Sequence, residues 1–175
     1  MRGGGYELIL ISEICNEIFA GGDKPQVFSE QKTEICNVAI YANAEKDDGL
    51  YGWTNQARVQ KPSITISARG TIGYVSLRNE PFFPIVRLIV ITPKPTISIN
   101  YLYYALKEKH INGNGANIPQ LTVPMVKNIK IPLPPLQTQQ KIVAEFKNLE
   151  SEISKREQRL ANLQGAYAQI LERHL

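Results

Sequence analysis

The feature that most constrains this chain is a long run at its C-terminus. After Pro132, Pro134 and Pro135, residues 137 to 175 contain no proline and a single glycine, Gly165. Apolar residues recur through the run in alternating steps of four and three. They place Phe146, Ile153, Leu160 and Tyr167 at position a of a heptad, and Ile142, Leu149, Leu163 and Ile170 at position d. Arg156 takes the remaining d position. Fully helical, the run is a rod roughly 58 Å long at about 1.5 Å per residue. A single helix cannot bury such a stripe against itself, so the pattern predicts a second helix. No comparable heptad run lies upstream, and the expectation is self-association through this helix. A helix packed on its own domain is the alternative.

The chain has 175 residues, enough for one domain with a core in front of the rod. Two cysteines, Cys15 and Cys36, are too few for a disulfide framework or a metal cluster, and are expected as buried free thiols in a reducing cytoplasm. No apolar run reaches the length of a membrane span, and the first residues lack the apolar segment of a signal peptide. The net charge of +4 is unevenly placed. Residues 1–57 carry four Lys/Arg against nine Asp/Glu, whereas residues 58–130 carry ten against two. This asymmetry points to a polyanion facing the middle of the chain, or else to a basic region neutralised by the acidic N-terminal third.

Upstream of the rod, short apolar stretches alternate with turn residues. Strands are expected around 6–18 (with a short helix or turn), 35–41, 63–68, 74–77 and 86–93. The two strands flanking Gly70 are expected to form a tight hairpin or bulge. Residues 98–110 predict a helix capped by Ser98 or Asn100, and 118–133 a turn, a short helical segment and a last strand. Strands with one or two helices and no regular βαβ series give a mixed α+β class. The expected division is a β-rich domain over 1–136 and a coiled-coil helix over 137–175.

At this point the residues carry a resemblance. The segment IPQLTVPMVKNIKIPLPPLQTQQKIVAEF resembles the junction between recognition domain and conserved helix in type I restriction–modification specificity subunits. IYANAEKDDGLYGWTN and SITISARGTIGYV resemble two further elements of that family. Members of the family hold two recognition domains and two helices that pair antiparallel as a ruler; this chain has one of each. The resemblance therefore implies a half-length form whose partners are double-stranded DNA, a second copy of itself, and methyltransferase and restriction subunits. The catalytic work would lie in those other subunits.

The residues agree with a chain that does no chemistry. His110 and His174 sit at helix ends without serine, zinc or phosphate-loop company, Asp47 and Asp48 look solvated, and no metal or cofactor is expected. Recognition would fall to Arg58, Lys61, Arg69 and Arg78 on phosphates or guanine, to Asn55 or Gln56 on adenine, and to Tyr51 and Trp53 on sugar or a thymine methyl. Trp53 serves equally well as a loop anchor, and Gly70 and Gly73 shape the element that presents Arg69. Arg156, with Glu152 or Glu157 in reach, would select helix orientation and register. Two other readings compete: a coiled-coil adaptor without DNA, and a fragment that pairs with a full-length specificity subunit.

Overall fold

The computed structural model describes residues 5–109, 111–112 and 120–174, without the side chains of Ile170, Leu171 and His174. His110, Gly113 and Gly115 thus lie outside the described residues. The chain runs β1 (Leu8–Leu10), α1 (Ile11–Ile14), β2 (Cys15–Ala20), β3 (Val38–Tyr41), a short turn at Lys46–Gly49 and β4 (Leu50–Thr54). It continues through β5 (Ser63–Ile66), β6 (Val75–Arg78), β7 (Phe82–Pro84), β8 (Ile89–Pro93), α2 (Ile99–Lys107), α3 (Val123–Lys127) and β9 (Lys130–Pro132), and ends in α4 (Leu136–His174). The class is α+β, as expected.

An antiparallel sheet in the order β2–β8–β5–β6 forms the centre. Alternation along its strands decides which layer covers which face. Ile64, Ile66, Ile89 and Ile91 point to the main core, which α1, α2, α3 and the start of α4 close with Leu102, Leu106, Val126 and Val143. Val90, between Ile89 and Ile91, points the other way and meets Phe82 and Val59. Phe82 belongs to the second sheet, β4–β3–β7, in which β3 runs antiparallel to β4 and parallel to β7. Both faces of the two inner strands, β5 and β8, are therefore covered. The sheet's polar residues pair inside: the Ser63 and Thr92 hydroxyls lie 2.9 Å apart.

Two expectations need correction. The strands flanking Gly70 do pair antiparallel, but across a loop of residues 67–74, so the connection is wide rather than tight. Gly73 (φ +83°) is required there, because a Cβ would stand 2.3 Å from the Ile111 carbonyl oxygen. The strand expected from Val86 begins only at Ile89, since Val86 and Arg87 take left-handed backbone (φ 52° and 64°). Their N–H groups donate to the Gly22 and Gly21 carbonyls, a pairing that turns the chain before β8. Two further strands, β4 and β7, form where none was expected, both by pairing with β3. Ser98 caps α2 by accepting from the Tyr101 N–H, and both cysteines are free and buried.

The rod forms, and it joins the body gradually. Gln139 and Val143 are buried in it, and Ile142 and Phe146 pack half-buried against the main core. From Leu149 onward every described side chain of α4 is exposed. Among the described residues no helix is long and apolar enough to cross a membrane.

Candidate nucleic-acid interface

Three arginines gather where loops meet at one edge of the body. Arg69 lies exposed in the β5–β6 loop and donates to the Gln120 amide oxygen at 3.0 Å. Arg87, exposed in the turn before β8, lines the same small cavity, about 130 Å³, as Arg69, Gln120 and Thr122. Its backbone is tied to Gly21, and the neighbouring Gly22 lies beside the Arg58 guanidinium, which stacks 4.9 Å from the Phe19 ring centre. Asn43 staples two of these loops together: its amide oxygen accepts the Ala68 N–H at 2.7 Å and its amide nitrogen donates to the Val86 carbonyl. Fixed cations on loops held by a rigid scaffold suit phosphate contact, where positions must be set before binding.

Arg78 is a correction. It was expected to face nucleic acid, but its side chain is only 4% exposed and pairs with Asp48. It also donates to the Asp48 carbonyl at 2.6 Å and to the Thr65 hydroxyl at 3.1 Å, and its guanidinium lies 3.7 Å over the Tyr41 ring. Asp48 is a correction too, being far from merely solvated. Asp47, Asp48 and Gly49 form consecutive left-handed residues (φ 51°, 53° and 77°). That turn aims the Asp48 carboxylate at three donors, Arg78, Ser76 and the Tyr74 hydroxyl. Burial, first, raises the Tyr74 phenol above its ordinary range, and the nearby Asp48 charge adds to the rise. The pair is a fastener between the β3–β4 loop and the central sheet.

The remaining expected contacts form a different group. Tyr51 is exposed beside Phe28 (5.6 Å between ring centres), with the Lys24 ammonium 3.1 Å from the Phe28 ring centre and 5.3 Å from that of Tyr51. Trp53 is half-buried under Lys32 at 5.1 Å, and its backbone pairs with Ser29. Asn55 and Gln56 are exposed just past β4. Lys61 is exposed before β5, at the opposite end of that strand from Arg69. The eight residues thus fall into the Arg58–Arg69 rim, an aromatic–lysine strip around Tyr51 and Trp53, the outlying Asn55, Gln56 and Lys61, and the buried Arg78. Sequence reasoning passed over Arg87, Asn43, Lys24 and Lys32 as site residues. Arg87 lay in an apparent strand, Asn43 in a loop read for its aromatics, and Lys24 in a loop marked only by its punctuation.

On the rod, Leu149, Ile153, Leu160, Leu163 and Tyr167 are each between 54% and 67% exposed. Arg156 lies among them, 3.8 Å from Glu152 one turn back. Ile142 and Phe146, the first residues of the heptad stripe, lie against this chain's own α2 side of the core, while the side chain of Ile170 is outside the described residues. Among the described residues no group of His, Cys, Asp and Glu is placed to hold a metal ion. The Cys15 thiol is pushed up to about 12 by burial, which opposes thiolate chemistry at neutral pH.

Comparison with known proteins gives this geometry its family. The Mycoplasma pneumoniae protein S.MpnORF507P, which carries a type I specificity subunit name, is 37% identical over 82% of this chain. The chain spans about two fifths of that relative's length, 39%. A chain solved in work on complex assembly and conformational transition of the type I R-M system superposes with a TM-score of 0.71, at 19% identity, over 88% of this chain and 40% of that one. The type I restriction-modification S subunit from M. genitalium superposes at 0.66, with 20% identity, over 90% and 42%. Residues 5–164 match the model of the type I restriction modification DNA specificity domain, and the chain belongs to that family.

Proposed function

We propose that the chain is a non-catalytic, cytoplasmic DNA-recognition subunit that works in pairs. Two copies join through antiparallel α4 rods and present two bodies to a bipartite, inverted-repeat target. The pair serves methyltransferase and restriction subunits that do the chemistry. The observation that carries this reading is the exposed apolar stripe, Leu149 to Tyr167, on a rod whose base is fixed to a body with an arginine rim. A closed two-fold pair covers both stripes at once.

The stripe is self-complementary when reversed. Antiparallel packing sets a positions against d positions. An axis through Gln158 opposes Leu149 to Tyr167 and Ile153 to Leu163, and sets Arg156 against Leu160 of the second copy. Phe146, where the rod leaves the body, then stands opposite residue 170 of the second copy. The two exits are separated along the axis by about 36 Å at 1.5 Å per residue. That is close to one turn of DNA, roughly 34–36 Å, the spacing at which paired modules meet the same face of a duplex. Arg58, Arg69 and Arg87 would hold phosphates or guanine edges, and Tyr51 with its lysines would add sugar or methyl contacts.

Mapping of methylated bases in cells that carry the chain with its methyltransferase tests this. The expected target is an inverted repeat of two short half-sites separated by unspecified base pairs. A single, asymmetric, unsplit target contradicts the paired reading. Pairing with one helix of a longer specificity subunit would cover the same stripe, and the mass of the purified complex distinguishes that case.

A further inference from the structure

Beyond the apolar packing of Ile142 and Val143, few groups set the direction of the rod. At its base, Gln139 is buried and works in two directions: its amide oxygen accepts the N–H of Ser98, the residue that caps α2, at 2.8 Å, and its nitrogen donates to the Pro134 carbonyl at 2.8 Å. Two turns later the Phe146 ring stacks on Tyr104 of α2, with centres 4.5 Å apart and planes 10° apart. One turn beyond, the Tyr104 hydroxyl donates to the Glu150 carboxylate at 2.7 Å, and Lys107 stands 3.8 Å from the other oxygen of that carboxylate. Beyond Glu150 every described side chain of the rod is exposed.

Two fixtures on a stiff rod define a lever. Gln139 and Glu150 are about 16 Å apart along the helix, and residue 170 lies about 46 Å from Gln139, at 1.5 Å per residue. A sideways slip of about 1 Å at Glu150 therefore moves the far end by about 3 Å, comparable to the 3.4 Å rise of one base pair along a strand. An apolar stack alone tolerates sliding, because dispersion and burial are weakly directional. A charge-assisted hydrogen bond resists it, since it weakens with both distance and angle.

We propose that the Tyr104–Glu150 bond is a positioning latch that fixes the angle between body and rod, and through it the half-site spacing the pair accepts. The latch does not touch DNA. The spacing part of this inference rests on the paired, DNA-reading function proposed above; the angular part does not.

The test is a pair of measurements on the full chain. Spin labels at Glu17→Cys on β2 and Gln164→Cys on the rod report the intrachain distance by pulsed electron resonance. Dilution with unlabelled chain removes contributions between copies, and the two native cysteines are buried. Tyr104→Phe keeps the ring stack and removes only the hydroxyl; Glu150→Ala removes the acceptor. The expected result is a single narrow distance in the parent, a distribution at least twice as broad in both variants, and no change in Lys155→Ala. Selection of duplexes from a library with fixed half-sites and varied spacers should then show Tyr104→Phe accepting one or more extra spacer lengths with unchanged half-site preference. Distances as narrow in both variants as in the parent overturn the latch. Broadened distances with an unchanged spacer preference overturn its role in measuring. If the parent itself selects no duplex, the DNA-reading function fails instead, while the distance measurement still judges the latch.

Discussion

Replacing Asp48 by asparagine isolates the charge that fastens the β3–β4 loop to the central sheet. Asparagine is close to aspartate in size and tolerates left-handed backbone equally, so the turn at Asp47–Gly49 need not change. What changes is the counter-charge of Arg78, whose side chain is 4% exposed while that of Asp48 is 50% exposed. Breaking a fully buried ion pair costs about 3–5 kcal/mol. Water reaches the Asp48 side and can partly solvate the stranded guanidinium, and the asparagine carbonyl still accepts one hydrogen bond. The amide nitrogen, however, must turn toward one of the donors that now meet the carboxylate, Ser76, Tyr74 or Arg78. A loss of about 2–3 kcal/mol is therefore expected. Urea unfolding at neutral pH measures it as a lower midpoint with an unchanged slope. The control is Asp47→Asn, an exposed neighbour outside the network, expected within about 0.5 kcal/mol of the parent. Asp48→Asn with near-parent stability, or Asp47→Asn with an equal loss, would refute the assignment of the fastener.

Three further outcomes are expected. Arg69→Ala and Arg87→Ala should each weaken duplex binding and reduce the slope of log affinity against log salt by about one unit, as loss of one phosphate contact does; unchanged slopes would remove them from the interface. Thr54 is fully buried and its hydroxyl has no partner among the described residues, so Thr54→Val should raise stability by about 1 kcal/mol in urea unfolding, and a loss would mean that the hydroxyl is satisfied. Burial raises the Cys15 thiol from 9.0 to about 12, so its contribution is fully present below pH 9 and is lost as pH rises from 9 to 12. Burial first, then the bond to Glu150, raises Tyr104 from 10.0 to about 12, which extends the decline over pH 10 to 12. Stability of the reduced protein should fall between pH 9 and 12, and fall less steeply in Cys15→Ala. Equal slopes would count against the burial argument.

What could be read in advance was what depends on local pattern. The heptad spacing shows the rod because exposed helical stripes keep their period, and Ser98 announces α2 because its side chain caps within three residues. The fate of Arg78 was illegible, because its partner Asp48 lies thirty residues upstream and is presented by a left-handed turn that tertiary hydrogen bonds hold. Arg87 was hidden for a similar reason: VRLIV alternates like a strand, and only the pairing of Val86 and Arg87 with Gly22 and Gly21 bends the chain and exposes the guanidinium. The extent of the body was blurred as well. Phe146 and Ile153 occupy equivalent heptad positions, yet one stacks on Tyr104 and the other is bare. A seam reads the same whether its cover comes from its own domain or from elsewhere.

Pairing of two copies through the bare part of the rod is read directly by sedimentation equilibrium of the full chain at micromolar concentration. A companion variant carries glutamate in place of Ile153 and Leu160, which touch nothing in the body. Pairing through the rod gives a parent at twice the 19.7 kDa chain mass and a variant at the single mass with the body still folded. A parent at the single mass, or a variant that remains paired, would contradict it.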